Sequence, residues 1–272
     1  MTNNNLEHSL NKLQFDLCNQ LIDKVSKKQL NDFGKISSDI KSDGTLITEC
    51  DRWSDETIVK GIGKITNDKE GVLSEEGCKI VPKSSSFWVV DPLDGTTNFS
   101  AGIPYWAISI ARFVNGEPET AFLDMPALNK RIIAIKGKGV WLNNKPISNI
   151  ITPIKNNECV SLCSRSIKIL QLKPNKVFPG KIRLLGVSSL NMTSVALRQT
   201  IGAIESTPKI WDLAAAWLIL SELNCLIKWL DINPERIEAG QDLGSVNFPL
   251  LATSSKETMN ALWPWAQLLI EN

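Results

Sequence analysis

The chain has 272 residues, 43% hydrophobic and 22% charged, which is the composition of a protein with a real core and excludes overall disorder. Lys and Arg number 30 against 29 Asp and Glu, a net charge of +1, so the basic excess expected of a nucleic-acid binder is absent and a membrane-surface role gains no support. The single histidine, His8, and 6 cysteines without a C-x-x-C pair argue against a zinc site and against Cys-His or Ser-His catalysis.

Residues 1–5 are polar and lack the apolar core of a signal peptide, and no run approaches the ~18–20 apolar residues of a membrane span. A cytoplasmic protein with reduced, mostly buried cysteines is expected, with organelle import left open. Residues 6–30 predict a helix, because Leu10, Leu13, Leu17, Leu21 and Val25 recur at spacings of three and four. Residues 31–42 are polar and predict a loop. Residues 48–65 predict a second helix with Trp53, Thr57, Ile58 and Ile62 on one face. A short extended piece at 71–74 leads into Glu75-Glu76-Gly77, and residues 86–90 form an apolar run of the kind buried on both faces.

Residues 105–114, 120–125, 131–135 and 140–142 predict an antiparallel meander, with turns at Gly137-Lys138-Gly139 and Asn143-Asn144-Lys145. A second half begins near Asn149, dividing the chain into residues 1–148 and 149–272. It predicts strands at 159–162, 181–187, 201–206 and 225–230, and helices at 191–200 and 211–223. A loop with two prolines covers 173–180, and a last helix at 257–271 is kinked or interrupted at Pro264. Strands and helices alternate in both halves, so the class is mixed α and β.

The chemistry concentrates in residues 88–99, W-V-V-D-P-L-D-G-T-T-N-F. A buried strand runs into Asp91-Pro92-Leu93-Asp94-Gly95-Thr96-Thr97. Two carboxylates three residues apart just past a strand end can converge on one point. Pro92 stiffens the backbone between them, and Gly95 permits a tight turn and close approach to an anion. A helix starting there favours a phosphate at its N-terminus. Converging carboxylates repel and need a cation, and an oxygen-only ligand set selects a hard ion such as Mg2+. The plain alternative is an Asx-rich turn in which Asp and Gly serve only the bend.

This segment resembles the signature of the inositol-monophosphatase family, a group of Mg2+-dependent, lithium-sensitive phosphatases. Three further stretches resemble the family in its order: residues 43–51 (D-G-T-L-I-T-E-C-D), Ser74-Glu75-Glu76-Gly77, and Trp211-Asp212-Leu213-Ala214-Ala215. The resemblance implies an α+β fold, the layered α/β/α/β/α sandwich of the inositol monophosphatase and fructose-1,6-bisphosphatase type. It implies a larger antiparallel sheet and most metal ligands in the first half, and the specificity residues in the second. By position, Glu75, Asp91 and the Leu93 carbonyl hold a first Mg2+; Asp91, Asp94 and Asp212 hold a second; Glu75 helps bind a weaker third. Thr96, tied to Asp51, orients the attacking water together with Glu75, while the Gly95 and Thr96 amides grip the phosphate. Taken one at a time, Glu75 and Glu76 read equally as a solvated acidic turn, Asp51 as a helix cap and Asp212 as a helix start. Lys41 reads either as a phosphate contact or as a solvated lysine.

In the family, a glycine-led turn and an acid seven positions before the last motif aspartate face the hydroxyls of the substrate. Here these are Gly186-Val187-Ser188 and Glu205. The resemblance therefore favours a polyol phosphate, myo-inositol 1-phosphate first, over histidinol phosphate, fructose 1,6-bisphosphate or 3′-phosphoadenosine 5′-phosphate. Thr97, where histidinol phosphatases of the superfamily commonly carry lysine, argues against the histidinol ester. Ser74 stands where the family has glycine, and Glu222-Leu223-Asn224-Cys225 replaces E-A-G-G, a change expected to reshape the pocket rim. A catalytically weak metal-binding regulatory homologue is the alternative of another class. A homodimer, to which exposed tryptophans among the 9 would contribute, and lithium inhibition are further expectations from the resemblance. No nucleic-acid or membrane partner is expected.

Overall fold

The computed structural model describes residues 10–271 apart from 42, 43, 45 and 148–157. His8, the first residues of the expected N-terminal helix, Asp43 and the expected division at 148/149 lie outside the described residues.

Helix α1 (Lys12–Asp32) begins at a capping box in which Asn11 and Gln14 exchange hydrogen bonds. Its buried residues are Cys18, Ile22, Val25, Gln29 and Asp32; of the expected row Val25 is buried, and Leu10 and Leu21 are partly buried against the same cluster. Leu13 is 68% exposed and Leu17 36%. Its one buried amide is tied to the core: Gln29 Nε2 donates to Pro92 O at 2.8 Å, and Gln29 Oε1 accepts from Trp106 Nε1 at 2.9 Å. Residues 31–42, expected as loop, contain β1 (Ser38–Ile40), which pairs with β2 (Leu46–Thr48) in a small hairpin. Helix α2 (Glu49–Thr66) starts at the Thr48 cap and buries Ile58, Ile62 and Ile65.

Strands β3 (Gly71–Ser74) and β4 (Ser86–Asp94) pair in parallel. After β4 comes one short helix, α3 (Thr96–Ser100). The meander then runs through β5 (Ala107–Val114), β6 (Glu117–Met125), β7 (Lys130–Ile135), β8 (Gly139–Leu142) and β9 (Lys145–Ile147). The result is a seven-stranded sheet in simple chain order, antiparallel except at β3–β4. Residues 87–90 of β4 are apolar and buried because α1 and α2 cover one face of the sheet and later helices cover the other.

The second sheet has five strands in the order β11-β10-β12-β14-β13. Its members are β10 (Cys159–Leu162), β11 (Lys181–Arg183), β12 (Gly202–Glu205), β13 (Leu226–Trp229) and β14 (Leu250–Thr253). Only three residues of the strand expected at 181–187 are in the ladder, because Gly186 turns the chain at φ +77°. Strand β14 has no counterpart in the sequence reading, yet it sits between β12 and β13. A short helix α4 (Lys168–Gln171) follows β10, α5 (Ser188–Ala196) starts three residues before its expected position, and α6 is Ile210–Glu222. Helix α7 (Lys256–Ala266) keeps Pro264 inside its last turn and passes into a 3-10 turn at Gln267–Leu269.

Helices α5 and α6 lie between the two sheets in the largest apolar cluster, and α7 covers the outer face of the second sheet with Leu262 and Trp265. The order is helices, sheet, helices, sheet, helices, the layered sandwich expected. Five tryptophans (88, 106, 211, 217 and 265) are buried and the other four are half-buried, so no exposed tryptophan marks an interface. Of the cysteines, Cys18 and Cys50 are buried, Cys78 is exposed and the rest are intermediate, all free, so "mostly buried" holds for two of six.

Candidate active site

The end of β4 is where the two halves meet. The β4–β5 register shifts between Asp91 and Asp94, so the strand is irregular at the residues that carry charge. Gly95 follows at φ +103°, and a Cβ there would stand 2.8 Å from Val187 Cγ2. Only glycine fits both the left-handed backbone and the close approach of the second half. The chain then enters α3 with Thr96 and Thr97 in its first turn. Asp212 arrives from the first turn of α6.

Asp91, Asp94 and Asp212 each offer a carboxylate oxygen within 4.8 Å of the other two. Each is held by a backbone amide: Leu93 N donates to Asp91 Oδ1 at 2.9 Å, Ser189 N to Asp94 Oδ2 at 2.7 Å, and Lys209 N to Asp212 Oδ2 at 2.8 Å. Burial, then Glu75, Asp94 and Asp212, push the Asp91 carboxyl well up, and burial with Asp94 and Glu75 does the same to Asp212. Asp94 is raised to about 6, by burial first. Two buried acids and a half-buried one that share a space, with no paired cation among the described residues, are a set that a divalent cation relieves.

Glu75 lines the same cavity, of about 160 Å3, as do Leu93, Gly95, Thr96 and Gly186. It stands outside the three-aspartate group and shares Lys41, whose Nζ lies 2.9 Å from Glu75 Oε1 and 2.5 Å from Glu76 Oε1. Lys41 is thus an internal counter-ion for the two glutamates, and Glu76 is raised to about 7 by burial and then by Glu75. Among the described residues no cation pairs with the three aspartates, so the oxygen-only donor set fits Mg2+.

Thr96 Oγ1 donates to Asp51 Oδ1 at 2.8 Å. The Thr96 oxygen also lies 3.2 Å from Leu93 O. Asp51 accepts from Thr48 N at 2.8 Å and from the Thr48 hydroxyl. The helix-cap reading of Asp51 and its link to Thr96 are therefore both true of one carboxylate.

Gly186 and Asp212 also line a second cavity, of about 230 Å3, so the two spaces adjoin at these residues. Val187 and Ser188 line this second space. Glu205 does not. It is fully buried, with Oε2 accepting from Ser188 Oγ at 3.0 Å and Oε1 from Asn191 Nδ2 at 2.8 Å. The expected contact with substrate hydroxyls is corrected: Glu205 stands behind the wall and holds Ser188 and Asn191. The cavity-lining side chains Cys163, Arg165, Asn191 and Thr207 were not found by sequence reasoning, since no motif links them.

The replacement of E-A-G-G lies at the far end of α6 and lines neither cavity, so it does not reshape the rim. Glu222 accepts from Gly137 N and Gly139 N at 2.8 and 2.9 Å, and Asn224 takes the left-handed turn at φ +54° that a glycine would take. A larger cleft of about 660 Å3 lies between α1 and β6–β7. Its Arg131 is already paired with Asp23 at 2.8 Å and Asp124 at 2.7 Å, so it offers less unmet chemistry than the aspartate site.

The family model for the inositol monophosphatase family matches residues 6–262. The chain belongs to the inositol monophosphatase family. Curated relatives include a Thermotoga maritima fructose-1,6-bisphosphatase/inositol-1-monophosphatase, 29% identical over 80% of this chain and 84% of that protein. A Vibrio cholerae Nus factor SuhB is 30% identical over 74% and 78%. A Chlorobaculum parvum histidinol-phosphatase is 28% identical over 75% and 80%. Among solved structures, a Thermotoga maritima IMPase superposes with a TM-score of 0.77 at 24% identity, over 96% of this chain and 98% of that one. An IMPase/NADP phosphatase complexed with Mg2+ and phosphate gives 0.73 at 22% identity, over 92% and 94%. The family is one of Mg2+-dependent phosphatases acting on phosphoric monoesters. No helix among the described residues is long and apolar enough to cross a membrane.

Proposed function

We propose that this inositol-monophosphatase family member hydrolyses a small polyol phosphate, with myo-inositol 1-phosphate as the first substrate, using two or three Mg2+ ions. The observation that carries the reading is the Asp91–Asp94–Asp212 group lining one cavity, with Asp212 also lining a second; we read the first as the phosphate space and the second as the alcohol space. Glu75, Asp91, Asp94, Asp212 and the Leu93 carbonyl are the groups that would hold the metal. When bound, Mg2+ supplies charge neutralisation and acidifies water. The protein's own residues do the rest. The Thr96 hydroxyl donates its hydrogen bond to Asp51, so its oxygen is left to accept one from the attacking water. Glu75 takes the proton that water loses. Gly95 and Thr96, at the start of α3, present backbone amides to the phosphate oxygens. Gly186 and Ser188 bound the space for the leaving alcohol.

A panel of esters with Mg2+ tests this: myo-inositol 1-phosphate, histidinol phosphate, fructose 1,6-bisphosphate and 3′-phosphoadenosine 5′-phosphate, read by phosphate release. We expect preference for the inositol ester. Asp94→Asn is expected to lose ~3–4 kcal/mol of transition-state stabilisation, several hundred-fold in rate. Binding of Mg2+ without release from any ester would overturn the enzyme reading. It would favour a regulatory homologue, a second reading suggested by the name of the Nus factor SuhB relative. Homodimerisation, lithium inhibition and a cytoplasmic setting belong to the same proposal.

A further inference from the structure

The segment that carries Asp91, Asp94 and Thr96 runs on into Asn98-Phe99, and neither of these two residues lines either cavity. Phe99 anchors α3. It is fully buried with Cys50, Leu93 and Trp106, and it meets Trp106 edge-on with ring centroids 5.1 Å apart. Asn98 is also buried, and it reaches across to the second half. Its Nδ2 donates to Tyr105 O at 2.9 Å, two residues before β5, and to Leu185 O at 2.8 Å, two residues beyond β11. An amide NH2 has two hydrogens in one plane. Both are used on carbonyls, one on each side of the seam between the halves, so the group fixes the two chains relative to each other.

Leu185 immediately precedes Gly186, which lines both cavities. Gly186 turns at φ +77°, and a Cβ there would stand 3.4 Å from Asn98 Oδ1 and 3.5 Å from Asn98 Nδ2. The amide thus holds this turn by a hydrogen bond to one residue and by close packing against the next. Leu184, Leu185 and Gly186 are exposed, so the stretch between β11 and α5 draws little support from burial. Two other contacts cross the seam here: Gly95 against Val187, and Ser189 N to Asp94 Oδ2. Both involve residues that line the phosphate cavity. Asn98 makes its tie from outside the two cavities. On the phosphate side Thr96 has an anchor of its own in Asp51.

We propose that Asn98 is a positioning residue that sets the place of the Gly186 turn and, through it, the fit of the leaving alcohol. This rests on the reading that the cavity beyond Asp212 receives the alcohol half of a phosphate ester. A misplacement of about 1 Å caused from outside the reacting centre can cost on the order of 10²-fold in rate. Here the loss falls on esters whose alcohol must be held, because Thr96 keeps its anchor when Asn98 is changed.

The test compares kcat and KM for myo-inositol 1-phosphate and for p-nitrophenyl phosphate, with Mg2+, in wild type, Asn98→Ala and Asn98→Asp. The second ester lacks the polyol hydroxyls and has a good leaving group, so it asks least of the alcohol space. Asn98→Asp keeps the shape but turns the donor group into an oxygen facing two carbonyls, and it carries the test should Asn98→Ala not fold. Both variants are expected to lose about 10–100-fold in kcat/KM for the inositol ester, with a rise in its KM, and no more than about threefold for p-nitrophenyl phosphate. The rise in Tm on adding Mg2+ should keep its wild-type size, since Asn98 bonds to none of the site's acids. Equal losses with the two esters, or no loss with either, overturn this inference and leave the phosphatase reading standing. So does a smaller Mg2+ shift, which would make the tie a general support of the fold. No release from either ester by wild type overturns the phosphatase reading and this inference with it.

Discussion

With its proton committed to Asp51 at 2.8 Å, the Thr96 hydroxyl keeps its lone pairs for the cavity. Burial raises Asp51 while hydrogen bonds from Thr48 and Thr96 lower it, so losing the Thr96 partner leaves a buried carboxylate oxygen unpaired. Thr96→Val is expected to reduce kcat by ~10²–10⁴ with little change in KM, since a positioned proton acceptor acts in the transition state. Steady-state kinetics with a saturating ester decides it; an equal rise in KM would point to binding instead. Glu205 makes a different prediction. Its carboxyl is raised by burial from 4.5 to about 8, against hydrogen bonds from Asn191 and Ser188 that lower it. The folded state therefore keeps a proton that the unfolded chain has lost. That stabilisation is complete below about pH 4.5 and disappears as pH rises through about 8. Glu205→Gln is neutral at every pH, so it should flatten part of the wild-type fall in Tm over this window. Parallel Tm curves for the two proteins would show that Glu205 does not titrate there. The aspartates and their motif were legible in the chain as letters. The direction in which Glu205 points was not, because the end of a strand can face a cavity or a neighbouring helix with the same residues.

At the scale of elements, Thr48 joins local structure to the site. It caps α2, its side chain accepting from Cys50 N at 3.1 Å and Asp51 N at 3.3 Å. Thr48→Ala removes that cap and a donor to Asp51. A loss of ~1 kcal/mol is expected from the cap, or about 2–4 °C in Tm. A fall in activity should accompany it, since Asp51 also holds Thr96. An unchanged Tm would show that α2 does not depend on this cap. Helix α1 and strand β14 mark the limit of reading elements from pattern. Val25 of the expected α1 row is buried and Leu10 and Leu21 pack against the core, but Leu13 and Leu17 are exposed, while Cys18, Ile22 and a Gln29 bonded to Pro92 O and Trp106 are buried. Strand β14 is only Leu-Leu-Ala-Thr after a proline, too short to declare its period. It becomes a strand because β12 and β13 stand on either side of it. Asn224 shows the reverse case, where a missing glycine pattern costs nothing because asparagine adopts the same left-handed turn.

Across the whole molecule, the site joins Asp91 and Asp94 from the first sheet to Asp212 from the helical layer between the sheets. Folding thus brings like charges together, and a cation that binds only the folded arrangement stabilises it by linkage. At Mg2+ about 100-fold above its dissociation constant the gain is ~2.7 kcal/mol, or roughly 5–10 °C in Tm. A thermal melt with and without Mg2+ measures this, and Asp94→Asn should shrink the shift; an equal shift in that variant would place the ion elsewhere. The sequence by itself determined the ligand chemistry, the strand–turn–helix that carries Asp91 to Thr97, the mixed class and the family, because those depend on neighbours along the chain and on residue type. Tertiary structure alone decided that Glu205 is buried behind Ser188 and Asn191 and that Arg165 and Thr207 meet beside Asp212. Those partners lie up to tens of residues apart, and their meeting depends on how β10, β12 and α5 pack, which no local spacing records.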